Sequence, residues 1–262
     1  MWVGSIVLGL GCRTSMHPDV EVHEFAVRDW NNTLGEVVTY DGLVDYDLLE
    51  ERRHTLDAYV AWLGLEEVWD GRLTRDWHAR HLNAYNALVL YQVLERGRPG
   101  SVLDPRRLLP VDGGAFFWET QFKLGPDWLN LSEIEHERVR QKELDIRDHA
   151  ALNCASMSCP PLRNELYRIR PDFLHSQLED QMTRWVMDDR GLRFEGDEVL
   201  FSPIFDWYAR DFSFWTAGQD LCSLTAAYAS GQRRLRLEQL AREGCPHGFF
   251  PYDWSLNAGT RR

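Results

Sequence analysis

The sequence predicts an α+β domain in which helices dominate and the sheet is small and antiparallel. Three observations carry that expectation. Long stretches place apolar residues at helical spacing, the strongest being Leu82, Tyr85, Leu88, Val89 and Val93. Short apolar runs flank turn-forming clusters, as Leu192-Arg193-Phe194 and Val199-Leu200-Phe201 do around Glu195-Gly196-Asp197-Glu198. A length of 262 residues, 44% hydrophobic and 27% charged, fits a soluble protein with a substantial core. No repeat or linker interrupts residues 22–262, which read as one domain. Residues 1–21 read as a leader-like or flexible end.

The elements follow in order. Val22, Phe25, Ala26 and Trp30 begin a helical pattern that continues through Val38, and Tyr40-Asp41-Gly42 turns the chain. Leu48 to Leu65 form a second helix, and Arg75 to Arg96 a third, stopped by Gly97-Arg98-Pro99-Gly100. Phe116-Phe117-Trp118 and Phe122-Lys123-Leu124 suggest short strands. Ser132, with Glu135 three residues later, has the capping-box pattern of a helix start. A strand is expected over 149–154. Asp172 should cap a helix through Met187, before the hairpin at 192–201. Helices are expected near 203–212 and 219–243, and a last strand and turn at 249–254.

Composition excludes some partners. A net charge of −12, from 41 acids against 29 bases, argues against nucleic acid. Five cysteines is too few for a disulfide framework. Cys222 reads as a buried small hydrophobe, and Cys154 and Cys159 could bridge locally in an oxidising compartment. Trp2 to Gly11 is apolar and precedes Cys12, resembling the end of a bacterial lipoprotein signal without its basic residues. A membrane would therefore be met only through a lipid on Cys12, and the balance tips slightly towards the cytoplasm over export. No other run approaches the roughly 20 apolar residues that span a bilayer.

The densest chemistry lies in His149-Ala150-Ala151-Leu152-Asn153-Cys154-Ala155-Ser156-Met157-Ser158-Cys159-Pro160-Pro161. Cys154 is the candidate nucleophile, because a thiolate is reactive near neutral pH and an imidazole can lower its pKa. His149 is the candidate base, although five residues of strand would part the two by about 16 Å unless the strand ends early. Cys159 is the other possible nucleophile and, with Ser156 and Ser158, a candidate binding group; the alternative is that Cys154 packs in the core while Ser156 and Ser158 hydrogen-bond the turn. Asn83 and Asn86, three apart on the strongest helix, could donate to an oxyanion, orient His149 or tie helix to loop. Glu135 could hold an imidazole or face solvent within its acidic run. Asp206 and Asp211 could cap helices or orient His149, and Tyr208 lies between them. Asp253 and Trp254 read as fasteners of the terminus. His149, Cys154 and Cys159 at H-x4-C-x4-C match no standard zinc knuckle, so neither metal nor cofactor is expected.

Several of these stretches resemble the family catalogued as domain of unknown function 547. They are Asn83 to Leu88, Leu131 to Glu137, His149 to Leu162, Ser202 to Tyr208, Asp211-Phe212 and Tyr252 to Asn257. They occur in the family's order across about Phe25 to Asn257. Where the family usually has Phe-Trp-Ile before the first Asn, this chain has Arg80-His81-Leu82, so a ring is kept but becomes titratable. The resemblance implies a fold and a site location, not a reaction. A polar helix followed by a strand with histidine is also similar to papain- and transglutaminase-like architectures, with Asn83 near where those enzymes keep their cysteine.

Two functions are expected. One is a thiol-dependent hydrolase or acyltransferase for an amide, ester or thioester, with Cys154 as nucleophile, His149 as base and Asn83 or Glu135 as orienter. The other is a non-catalytic peptide- or ligand-binding or scaffold domain with a structural His/Cys core. Either takes a small molecule or peptide.

Overall fold

The apolar periodicity of the first third of the chain folds as helices packed around one buried helix. The computed structural model describes residues 14–70, 74–103, 114–140, 145–215 and 217–260. The expectation of a lipid on Cys12 lies outside these residues. Strand β1 (Thr14–Met16) precedes α1 (Ala26–Val37), α2 (Tyr46–Glu51), α3 (Arg53–Leu63), α4 (Glu66–Trp69) and α5 (Thr74–Glu95). The helix expected over 48–65 is thus divided. Asp45 starts α2 by accepting the Leu48 N–H at 3.1 Å, and the backbone leaves helical geometry at Arg52. Between His78 and Leu94 nearly every side chain of α5 is buried, as in a helix that is itself the core.

Gly42 turns the chain at φ +72°, where a Cβ would lie 2.6 Å from the Pro161 Cβ. The turn therefore needs glycine both for its backbone and for the close approach of 161–162.

Helix α6 (Gly114–Trp118) replaces the strand expected at 116–118. A short apolar run does not choose between strand and helix. Here Gln92 and Arg96 of α5 donate to the Phe116 and Ala115 carbonyls and hold the turn. Then β2 (Thr120–Leu124) pairs antiparallel with β3 (Asp127–Leu129) and parallel with β1.

The short α7 (Leu131–Glu133) runs into a π-helical stretch, Ile134–Arg140. Its capping box is Asn130 with Glu133, not Ser132 with Glu135. Asn130 accepts the Glu133 N–H at 2.8 Å, and the Glu133 carboxylate accepts the Asn130 N–H at 2.9 Å.

The strand expected over 149–154 is instead a helical turn, α8 (Asp148–Ala151), followed by extended chain. Helix α9 (Pro171–Met187) has proline at its start and no side-chain cap, so Asp172 sits in its first turn rather than at its cap.

The hairpin β4 (Leu192–Glu195) and β5 (Glu198–Phe201) forms as expected. Helices α10 (Ile204–Trp207), α11 (Ala209–Trp215), α12 (Leu221–Tyr228) and α13 (Gly231–Arg242) follow. Strand β6 (His247–Phe249) then joins β5 in parallel. The fold is α+β, but the antiparallel sheet is two small mixed sheets, each a hairpin extended by one parallel strand.

One apolar cluster gathers α1, α3, α5 and the first sheet, and another gathers α9 to α13 and the second sheet. Cys222 is buried, as its apolar run suggested, but it is not a lone hydrophobe: it is bridged to Cys245 across 5.7 Å between Cα atoms. Cys154 and Cys159 remain free thiols. Among the described residues no helix is long and apolar enough to cross a membrane.

Candidate functional site

The loop that follows α8 is built from amides. Asn86 of α5 donates to the Ala151 carbonyl and accepts the Asn153 N–H, both at 2.9 Å. Asn153 in turn donates to the Pro160 carbonyl at 2.7 Å and accepts the Ala155 N–H at 2.9 Å. That last bond holds Ala155 at φ +61°, a left-handed conformation uncommon for a residue with a Cβ. Asn257 adds a bond to Asn153 at 3.2 Å and accepts the Tyr46 hydroxyl at 2.7 Å. Buried polar groups are satisfied throughout this network, which fixes the backbone on both sides of Cys154.

The Cys154 thiol is half-buried at the tip of the loop. Its Sγ lies 3.1 Å from the Ser156 Oγ and 3.4 Å from the Tyr252 hydroxyl. Burial raises its pKa. Hydrogen bonds from Cys159, Ser156 and Tyr252 and from the Ser156 backbone outweigh burial, and the thiol is lowered to about 7. Cys159 goes the other way, pushed up by its own burial and by Cys154 beside it. Its Sγ accepts the Cys154 N–H at 2.8 Å. The buried thiol thus supports the half-buried one.

Tyr252 reaches this loop because the end of the chain is strapped to it. Ser158 accepts the Asp253 N–H at 2.8 Å and donates its own N–H to the Asp253 carbonyl at 3.1 Å. Met157 donates to the Ser255 carbonyl at 2.8 Å. Ser158 is therefore a brace. Trp207 and Trp254 continue the wall outwards from Tyr252, at 4.9 and 4.4 Å between ring centroids. Trp207 is half-exposed at the end of this aromatic rim.

His149 faces a neighbouring array. Its Nε2 donates to the Asp211 carboxylate at 3.0 Å, and its ring lies on Tyr208 at 4.3 Å. Arg140 donates twice to the same Asp211 oxygen, at 2.9 and 2.6 Å. The His149 hydrogen bond does most to hold Asp211 down at about 2; burial opposes it and Arg140 adds to it. Glu135 accepts the Tyr208 hydroxyl at 2.6 Å and the Tyr85 hydroxyl at 3.3 Å. Burial and Glu135 raise both phenols, and the Cys154 charge also reaches them. A π-helical turn delivers Glu135 and Arg140 to this point, an irregularity frequent at functional sites.

Among the described residues no hydrogen bond joins His149 to Cys154. The α8 turn directs the ring to Tyr208 and Asp211, and Tyr208 is near enough to feel the charge of Cys154. Asn86, Glu135, Ser156, Cys159 and Tyr208 all belong to the assembled cluster. Asn83 does not: it accepts the Tyr167 N–H and donates to the Tyr167 carbonyl, both at 2.8 Å. Asp206 is exposed on α10, whereas Asp211 takes the role of orienting His149. His149, Cys154 and Cys159 do not gather as metal ligands. Among the described residues the grouped donors are Asp220, Cys222 and Cys245, whose sulfurs are already bonded to each other. Tyr252, Tyr85 and Arg140 were not singled out by sequence. Tyr252 and Tyr85 had a signal, their places in family-like stretches; Arg140 had none.

The fold and cluster define an α+β protein with a hydrogen-bonded thiol beside a carboxylate–tyrosine–histidine array. Residues 75–186 match the model of a family described as "Protein of unknown function, DUF547", so the resemblance read in the sequence holds over that stretch. That stretch includes Asn83, Asn86, Glu135, His149, Cys154 and Cys159, and ends before Tyr208, Asp211 and Tyr252. No curated protein and no solved structure matches the chain.

Proposed function

We propose that this protein is a thiol-dependent hydrolase or acyltransferase acting on an amide, ester or thioester. The observation that carries this reading is a half-buried Cys154 thiol surrounded by Ser156, Tyr252 and Cys159, with a pKa of about 7. A thiolate present near neutral pH needs no adjacent base to attack. Its Sγ forms a bond to the acyl carbon, and the bond from that carbon to the leaving group breaks. Tyr252, kept neutral because burial raises its pKa, supplies the proton to the leaving group. Water or an acceptor then takes the acyl group from sulfur and returns a proton to Tyr252. His149 and Asp211 act behind this step, positioning Tyr208 and, through it, Glu135.

A chromogenic acetyl ester with mass spectrometry of the intact protein tests the proposal. Expected are an initial burst of product, an acetyl adduct on Cys154, and loss of both in Cys154→Ala. Ester turnover equal to background, with Cys154 slow to alkylate until denatured, would favour the ligand-binding or scaffold reading.

A further inference from the structure

Helical geometry gives α5 a second working face. At about 100° per residue, Trp77 and His81 point roughly opposite to Asn83 and Asn86. On that side lies a cavity of about 490 Å³, a volume typical of small-molecule sites. Three rings line it: His81 sits 4.5 Å from Trp69 and 4.6 Å from Trp77, and the two indoles meet edge-on at 5.8 Å.

Two of these rings, Trp69 and His81, are held by hydrogen bonds to backbone carbonyls. The Trp69 indole N–H donates to the Leu63 carbonyl at 2.6 Å. Gly125, at φ +58°, backs the same indole where a Cβ would come within 2.6 Å of its Cδ1. The His81 Nδ1–H donates to the Trp77 carbonyl at 2.8 Å, which sets the imidazole plane.

Among the described lining residues the carboxylates are the charged groups. Glu66, Glu67 and Asp70 supply exposed carboxylates from α4 and its end, and Asp127 supplies another from β3. Asp127 is countered by Arg138 at 2.9 Å. No lysine or arginine is among the described lining residues. Aromatic faces carry negative electrostatic potential at their centres and attract cations, and carboxylates at a mouth add to that field. An anion would meet repulsion here, and a neutral apolar ligand would gain nothing from the acids.

We propose that this cavity is a binding site for a small organic cation, an alkylammonium group seated on the Trp77 ring, which the buried His81 and Trp69 rings back, beneath the exposed Glu66 and Glu67 carboxylates. It is separate from Cys154 and stands whatever reaction Cys154 performs.

Tryptophan fluorescence titrations of the full chain test it. The probes are tetramethylammonium, choline, N-acetyl-trimethyl-lysine amide, and 3,3-dimethylbutan-1-ol, which is choline's uncharged isostere. Saturable quenching by the cations is expected, with the neutral alcohol at least about tenfold weaker. Choline and the lysine derivative distinguish a free metabolite from a peptide side chain, the tighter binder naming the source. Trp77→Leu should abolish the response. Because that change also alters packing around α5, the exposed pair Glu66→Gln and Glu67→Gln provides an independent check. Together they should weaken binding severalfold and flatten its salt dependence. Equal affinity for the neutral isostere, no saturation by any cation, or indifference to both sets of substitutions would overturn the proposal.

Discussion

Tyr252 reaches the thiol of Cys154 from 98 residues away in sequence, and its hydroxyl is one of a few groups that decide whether that sulfur is ionised. A hydrogen bond to a charged group is worth about 1.5–3 kcal/mol. Removing it destabilises the thiolate and leaves the thiol unaffected, so the pKa must rise. In Tyr252→Phe the midpoint of iodoacetamide labelling at Cys154 is expected to move from about 7 to about 8 or above. Labelling at neutral pH should slow several-fold to tenfold. An unchanged midpoint would mean that Ser156 and Cys159 suffice. Asp211, another anion held by donors, follows the same logic: the His149 hydrogen bond first, and Arg140 after it, favour its ionised form against the opposing effect of burial.

At the scale of elements, the turn α8 matters more than the strand expected in its place. A strand would have separated His149 from the thiol along an extended line. The helical turn instead tucks His149 against Tyr208 and hands the chain to Asn86 at Ala151. Asn86→Ala would strand the Ala151 carbonyl and the Asn153 N–H in a largely dry interior. The expected cost is about 2–4 kcal/mol, measured by urea unfolding. Because the loop geometry at Asn153 and Ala155 depends on this clamp, Cys154 labelling should also lose its low midpoint. Asn83→Ala, which frees only the Tyr167 backbone, should cost similar stability and leave the midpoint in place. The contrast separates a helix-to-loop tie from a support of the site.

At the scale of the molecule, two apolar clusters meet at the site. Tyr85 and Glu135 come from the side of the first, and Tyr208 and Asp211 from the side of the second. The Cys222–Cys245 bridge staples the second cluster, closing the stretch that holds α12 and α13. With a sequence separation of 23 between its ends, loop-closure entropy gives a stabilisation of about 3 kcal/mol. Cys222→Ala with Cys245→Ala is therefore expected to lower the melting temperature by about 10 °C, read by calorimetry. Bridges of this kind persist in oxidising compartments.

Local chemistry was legible in the sequence. Periodicity located the central helix at Arg75 to Arg96, and turn residues located the hairpin at 192–201, because both depend on neighbours a few positions away. The concentration of His149, Cys154 and Cys159 pointed to the same loop that the structure makes polar and hydrogen-bonded. Asn130 displaced Ser132 as a cap, and α6 and α8 displaced strands, because short segments take their conformation from what they pack against. Only the tertiary structure decided that Asp211 holds His149, that Tyr252 reaches Cys154, that Asn83 ties a loop, and that Cys222 finds Cys245. Those pairings join residues tens of positions apart, and no local pattern encodes them; they arise when buried polar groups must find partners inside the folded core.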